Sequence, residues 1–338
     1  MIKKILIYTY GNHQMGLGHI YRMHNLSQEL KKNNCEVLFL TPMWKVGINK
    51  LKKFKEKIIE IPIKFFEKEI FYKNILEKYF FDSIIVDALA VDKIIMRAFK
   101  EKSRNLISFD NIGNGRVFSD LLINILYKTR YKSKKVKKEI NNLDYLILNN
   151  NFREFNLKSK SIDRKVKKIL ISQGGSDTYG VVPRIINELK NINNNIELYI
   201  LVGAAFRHKR ELNNVIKSSN LKVNVLNNIK NVWEVFYNID LAISGGGMTI
   251  FELICVGVPS MVITQEKKEL ETMNYLEKLK LVENLGFYKN FEKNNIFEKV
   301  QKFINNYELR KKISINGKKV IDGKGVKRIA GLIKNLDK

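Results

Sequence analysis

The sequence predicts an α/β protein made of two doubly wound, parallel-sheet domains, and three observations carry this. Short β-branched apolar runs alternate with amphipathic helical stretches almost from end to end, the pattern of parallel strands covered by helices on both faces. That rhythm runs twice, with the polar, charged stretch FNLKSKSIDRKVK at 155–167 between the two runs. The 338 residues are also about twice the ~150 expected of one domain. The expected domains are 1–158 and 165–338, with the last helix a candidate to pack back on the first.

In the first half the predicted strands are 4–9 (KILIYT), 36–40, 57–62, 83–87 (SIIVD), 105–109 (NLISF) and 143–148 (LDYLIL). Helical stretches lie between them. Over 19–32 the spacing of Ile20, Met23, Leu26 and Leu30 lays an apolar stripe along one helix face. In the second half the predicted strands are 168–172 (KILIS), 196–202 (IELYILV), 222–226, 239–243 (IDLAI) and 259–264 (PSMVIT), again with helices between and after them.

Composition narrows the class. With 45% hydrophobic and 28% charged residues the chain is ordinary globular material, long enough to bury a full core without staples. Its cysteines, Cys35 and Cys255, sit far apart in apolar contexts, which suits buried thiols in a reducing cytoplasm. Lys3 and Lys4 precede an apolar stretch too short for a secretion signal. The most apolar window, FFDSIIVDALAV, carries Asp82 and Asp87, so no membrane span is expected. A cytoplasmic location follows.

The net charge of +27 favours anionic partners. Lys, Asn and Ile nevertheless dominate the whole chain, exposed helix faces included, so a general compositional bias accounts for much of the excess. A basic run, Lys128, Arg130, Lys132, Lys134, Lys135, Lys137 and Lys138, reads as a solvated helix face, with weak peripheral membrane contact through 128–138 as its functional alternative. No nucleic-acid motif and no aromatic-rich basic stripe accompanies the charge, so nucleic acid is not an expected partner.

Chemistry is expected at the turns beyond the carboxyl ends of the strands. Glycines cluster at three of them: GLGH at 16–19, GGSD at 174–177 and SGGGMT at 244–249. In SGGGMTIFE, glycines let backbone N–H groups approach an anion, and the helix that follows directs its positive end at the same point. Thr249 adds a hydroxyl there, and Glu252, in the first turns of that helix, is placed to accept hydrogen bonds from ribose hydroxyls. GLGH opens like a dinucleotide fingerprint, but Tyr21 stands where its third glycine belongs. Neither Gly317-Lys318 nor Gly323-Lys324 makes a P-loop. His13, His19, His24 and His208 form no HExxH, and the chain has no CxxC. A reaction without metal or other cofactor is expected.

Taken together, GLGHIYR, ISQGGSD at 171–177 and AISGGGMTIFELICVGVPSMVI at 242–263 resemble one family. It is the UDP-sugar hydrolase of pseudaminic acid biosynthesis with its spore-coat polysaccharide relatives, cousins of the UDP-GlcNAc transferase of peptidoglycan synthesis. SDLLIN (119–124) and YLILNNNFREF (145–155) extend the similarity over most of the chain. The resemblance implies a GT-B fold, two Rossmann-like domains facing a cleft, with the UDP-sugar substrate held by the second.

Carried over residue by residue, the family's G-x-G-H-x-x-R motif falls on Gly16, Gly18, His19 and Arg22, with His19 as the catalytic base. Substrate contacts fall on Asp87, on Gly174, Gly175, Ser176 and Asp177, and on Gly245, Gly246, Gly247, Met248, Thr249 and Glu252. Of the later Q-x-x-N pattern, which reads Glu271-Thr272-Met273-Asn274, only Asn274 matches. An Asp-His-Tyr triplet of the family reads Asp87-Ala88-Leu89, and an Asp-Asp pair reads Asp110-Asn111; both departures bear on the sugar and the acceptor.

The expected reaction is displacement of UDP from sugar C1 with inversion. His19 deprotonates the nucleophile near neutral pH while the glycine loop takes charge on the departing diphosphate. Water is the expected nucleophile, which makes the protein a hydrolase releasing UDP from an amino or deoxy sugar. The alternative is a glycosyltransferase with the same donor site and a glycan or lipid-linked hydroxyl as acceptor.

Overall fold

The structure is a computed structural model that describes residues 2–12, 16–126, 136–193, 195–203, 205–227 and 229–336. Most of the basic run expected at 128–138 lies outside the described residues. The chain divides into two compact units, Met1–Asn149 with Lys324–Lys338, and Asn150–Gly323.

The first unit runs β1 (Lys3–Thr9), α1 (Gly18–Lys32), β2 (Cys35–Pro42), α2 (Lys45–Lys53), β3 (Ile58–Ile61), α3 (Glu69–Leu76), β4 (Phe81–Asp87), α4 (Lys93–Glu101), β5 (Ser103–Phe109), β6 (Leu121–Ile123) and β7 (Lys138–Ile140). The second runs α5 (Asn150–Leu157), β8 (Lys168–Ser172), α6 (Val181–Glu188), β9 (Glu197–Val202), α7 (Lys209–Lys217), β10 (Lys222–Asn227), α8 (Val232–Tyr237), β11 (Leu241–Ser244), α9 (Met248–Val256), β12 (Ser260–Thr264), α10 (Leu270–Lys278), β13 (Glu283–Phe287), α11 (Ile296–Asn305) and α12 (Tyr307–Val320). The last helix, α13 (Gly325–Asn335), is counted with the first unit, where it packs on α1.

The first sheet has the order β3-β2-β1-β4-β5-β6-β7 and the second β10-β9-β8-β11-β12-β13, with parallel pairing throughout. Each order reverses once. In the first sheet the reversal lies between β1 and β4, where Thr9 is in register with Asp87. In the second it lies between β8 and β11, where Ser172 is in register with Ser244. Such switch points leave a crevice beyond the carboxyl ends of the strands, because the connecting helices on either side run to opposite faces.

The apolar periodicity has its counterpart in the packing. The stripe of α1 predicted from the sequence is buried at Ile20, Met23, Leu26 and Leu30. A core of the first unit gathers Leu6, Tyr8, Leu40, Ile84, Val86 and Phe99. The second core gathers Ile169, Ile171, Ile185, Leu198, Ile243 and Ile263.

Three sequence expectations need correction. The run 143–148 is not a strand: Leu143–Tyr145 form a 3-10 turn, and Leu146, Ile147 and Leu148 are apolar because they are buried. Residue α-carbon Gly325 of α13 lies so close that a Cβ there would meet Leu146 O at 1.9 Å. The sheet instead ends in β6 and β7, too short to stand out in the sequence. Finally, the units divide at 149/150 rather than near 158. The reason is α5: Phe152 packs edge-on against Trp233, and Asn156 Nδ2 donates to Cys255 O, Lys318 O and Ile321 O at 2.9–3.2 Å.

Candidate functional site

At the first switch point, beyond β1, Gly16 N–H donates to Asn12 O at 2.9 Å. Gly16 takes a left-handed φ of +74°, and a Cβ at Gly16 or Gly18 would meet nothing within 4 Å among the described residues. α1 then begins with no side chain capping its N-terminus. This sets His19 in the first turn of α1, opposite the end of β4.

There, His19 Nδ1 lies 2.7 Å from Asp87 Oδ1. Asp87 is fully buried, while His19 keeps 15% of its side chain exposed. Arg22, one turn along α1, donates Nε to Asp87 Oδ2 at 2.9 Å and Nη2 to Asp87 Oδ1. Its Nη1 donates to Asp110 Oδ2. Asp110, at φ +46° just past β5, also accepts from the N–H groups of Ile125 and Leu126 at 2.7 and 2.8 Å. The result is a buried relay from the loop after β6 through Asp110, Arg22 and Asp87 to His19.

The electrostatics of this relay follow from its geometry. Burial alone would raise the Asp87 carboxyl, but the adjacent Arg22 and His19 outweigh it and hold the group at about 2. Burial likewise works against the Arg22 charge, and the two carboxylates overcome it, raising the guanidinium above its ordinary value. An ionised Asp87 can only accept, so neutral His19 must carry its proton on Nδ1. Nε2 then holds a free lone pair, with no partner among the described residues.

Arg22 and Asp87 were expected to touch substrate. They are 3% and 0% exposed; Arg22 bonds Asp87 and Asp110, and Asp87 holds the His19 ring. The Asp of the Asp110-Asn111 pair has an internal role too. Asn111 accepts Gly113 N–H at 2.8 Å, and its Nδ2 is buried without a partner. His24, five residues beyond His19, stacks on Phe54 at 3.8 Å and pairs with Glu56, away from the relay.

At the second switch point, β8 runs into Gln173, Gly174 and Gly175. Both glycines are exposed with open space at the Cβ position, and Gly174 is left-handed at φ +74°. Ser176 bonds Thr178. Asp177 corrects the sequence reading: it is 1% exposed and accepts from Val181 and Val182 N–H at 2.8 and 2.9 Å. It caps α6, with its carboxylate engaged by the helix backbone.

Across the switch point, β11 enters Gly245, Gly246 and Gly247. The Gly245 N–H donates to Ser172 O at 2.9 Å. Gly246 is buried, and a Cβ on it would come 2.9 Å from Glu269 Oε2. Gly247 is exposed, with nothing within 4 Å of its Cβ position. α9 follows without a side-chain cap and with no acidic residue in its first turn, so its leading N–H groups are left for another acceptor. Met248 and Thr249 are half-buried there. Glu252, also half-buried, has no hydrogen bond or ion pair among the described residues, and burial pushes its carboxyl up to about 7. Asn274 is exposed on α10, and its Oδ1 accepts from Asn284 at 2.7 Å.

Comparison with known proteins bears first on this second half. Residues 168–330 match the glycosyltransferase family 28 C-terminal domain. The family 28 match covers both glycine loops of the second unit, Glu252 and Asn274. Over its whole length the chain resembles the spore coat polysaccharide biosynthesis protein SpsG of Bacillus subtilis, with 22% identity across 98% of this chain and 97% of that one. Protein MJ1062 of Methanocaldococcus jannaschii is 32% identical over 289 residues, 82% of this chain. This chain spans 59% of the length of that relative. Among solved structures, MurG of Acinetobacter baumannii superposes with a TM-score of 0.73 at 14% identity, covering 98% of this chain and 99% of that one.

These findings establish the GT-B glycosyltransferase fold, a family 28-like second domain and a homologue in polysaccharide biosynthesis. They do not support hydrolysis or pseudaminic acid specificity, and glycosyl transfer, the alternative in the sequence, fits them at least as well. Among the described residues no helix is long and apolar enough to cross a membrane.

Sequence reasoning missed Asp110 as a partner of Arg22, and Gln173 and Gln265 beside the glycine loops. The sequence marks Asp110 only as half of the Asp110-Asn111 pair and Gln173 only as part of ISQGGSD, neither with this role, and nothing local marks Gln265. Only their position just past strand ends could have drawn attention.

Proposed function

We propose that the protein is an inverting glycosyltransferase that moves a sugar from a UDP-sugar to a hydroxyl of a glycan or lipid-linked acceptor in polysaccharide biosynthesis. The observation that carries this is the His19–Asp87 pair, a base with its tautomer fixed and its Nε2 free, on a GT-B scaffold. Nε2 takes the proton of the acceptor hydroxyl as that oxygen attacks C1. The C1–O bond to the diphosphate breaks, and its electron pair leaves with UDP.

The charge that develops on the diphosphate is met by the amides of Gly245–Gly247 and the uncapped N-terminus of α9. Glu252 is the group for the ribose hydroxyls: its unpartnered carboxylate gains donors when the nucleoside arrives. Thr249 and Asn274 complete the donor contacts. Gly16 and Gly18, with open space before them, leave room beside His19. The Asp110–Arg22–Asp87 relay keeps the imidazole in place, which makes these three positioning residues.

Hydrolysis remains a second reading, favoured by GGSD at 174–177. One experiment separates the two. A panel of UDP-sugars, with and without glycan and lipid-linked acceptors, is incubated in ¹⁸O-labelled water, and UDP release and product mass are followed. Release that needs an acceptor, with inverted configuration in the product, supports transfer. Release without acceptor and with label at C1 supports hydrolysis. Label on phosphate, or no UDP release from any donor, overturns both.

A further inference from the structure

Gln173 stands at the second switch point, directly after β8, whose last residue Ser172 is in register with Ser244. It is 4% exposed. Its amide lies against the glycine loop: a Cβ on Gly245 would come 3.1 Å from Gln173 Oε1. The way that amide faces is fixed by its neighbours. Gln265 donates Nε2 to the Gln173 backbone carbonyl at 3.2 Å and to Gln173 Oε1 at 3.0 Å. A backbone carbonyl can only accept, so the contacting atom of Gln265 must be its nitrogen. The Asp177 carboxylate 3.4 Å from the same nitrogen requires the same assignment. The Gln173 atom facing Gln265 is therefore its oxygen, and its Nε2 is left as the far end of the amide. That NH2 group is buried without a hydrogen-bond partner among the described residues.

An unpaired buried donor is destabilising and rare, and it is tolerated where a ligand supplies the acceptor. Beside a glycine loop at a switch point, the acceptor of matching chemistry is an anionic oxygen. We infer that Gln173 is a donor-binding residue whose Nε2 hydrogen-bonds the diphosphate of the nucleotide, with Gln265 as the positioning residue that turns the NH2 toward it. This rests on the nucleotide-sugar reading above. In that reading one neutral side chain adds a charge-assisted bond to those of the loop amides and makes the site sensitive to how many phosphates the ligand carries.

The test is calorimetric titration of UDP, UMP and uridine into the wild type, Gln173→Met and Gln173→Glu, with thermal denaturation of each protein alone. Met keeps the length of the side chain and removes the donor. The expected result is a UDP Kd raised about 10- to 100-fold in Gln173→Met, as for loss of a hydrogen bond to a charged group. Uridine binding should be unchanged, and the Tm of the ligand-free protein equal or higher. Gln173→Glu should weaken UDP at least as much. Equal loss for UDP and uridine, or unchanged UDP binding with a lowered Tm, gives Gln173 a packing role and overturns the inference. Failure of the nucleotide reading looks different, because the wild type itself would then bind no UDP.

Discussion

Glu252 offers a quantitative test of the donor site. Its carboxyl has an ordinary value of 4.5 and is pushed up to about 7 by burial without a partner. A raised carboxyl favours folding while protonated. That contribution is complete below about 4.5 and is lost as the pH rises through about 7. The difference of about 2.5 units corresponds to at most ~3.4 kcal/mol, an upper bound for a half-buried group. Glu252→Gln, neutral at every pH, should therefore match the wild type in stability near pH 4 and exceed it by up to ~3 kcal/mol near pH 8. Ribose hydroxyls donate to the ionised form, so UDP binding should drive the proton off. At pH 6 about 0.9 proton would leave Glu252 for each UDP bound if its value returns to near 4.5. Calorimetry in buffers of different ionisation enthalpy reads this number, and Glu252→Gln subtracts the contribution of the phosphate itself. Equal proton release by both proteins, or a variant less stable at pH 8, would refute the reasoning.

Other predictions follow from the same geometry. Asp87→Asn breaks a buried ion pair and should cost about 3–5 kcal/mol in chemical denaturation. Because Asp87 is held at about 2 against an ordinary 3.8, the wild type should also lose ~2.4 kcal/mol of stability as the pH falls from about 5 to about 1, and the variant should lack that loss. Asp177→Ala removes the acceptor for Val181 and Val182 N–H and should lower stability by about 1–2 kcal/mol, with UDP affinity nearly unchanged by calorimetry. Gly247→Ala meets no atom within 4 Å and adopts an ordinary extended φ of −82°. Its Tm should equal that of the wild type, while its added methyl, on the diphosphate's approach, raises the UDP Kd about tenfold or more.

The alternation of strands and helices was legible because fully buried parallel strands read as continuous apolar runs, as in KILIYT and SIIVD. It misled at 143–148, where LDYLIL is just as apolar but is buried beneath the backbone of α13. Periodicity reports burial there and cannot report hydrogen-bonded pairing. The short strands Leu121–Ile123 and Lys138–Ile140 are three residues each, below the length at which alternation is recognisable. The glycine clusters lie at both switch points, where Gly16 and Gly174 take a left-handed φ that other residues rarely adopt. What the sequence hid was which polar side chains face inward. Arg22 and Asp87 looked like ligand contacts, yet they meet each other across 65 residues of chain. Asp177 looks like its glycine neighbours' partner in binding, and only the position of α6 reveals it as a cap.

The proposed role of His19 as the base of the transfer is tested by the turnover of His19→Ala beside its affinity for UDP. Turnover with the best UDP-sugar and acceptor should fall by about 10²–10⁴, while the UDP Kd stays within about twofold of the wild type. Unchanged turnover, or UDP affinity lost in step with activity, would contradict it.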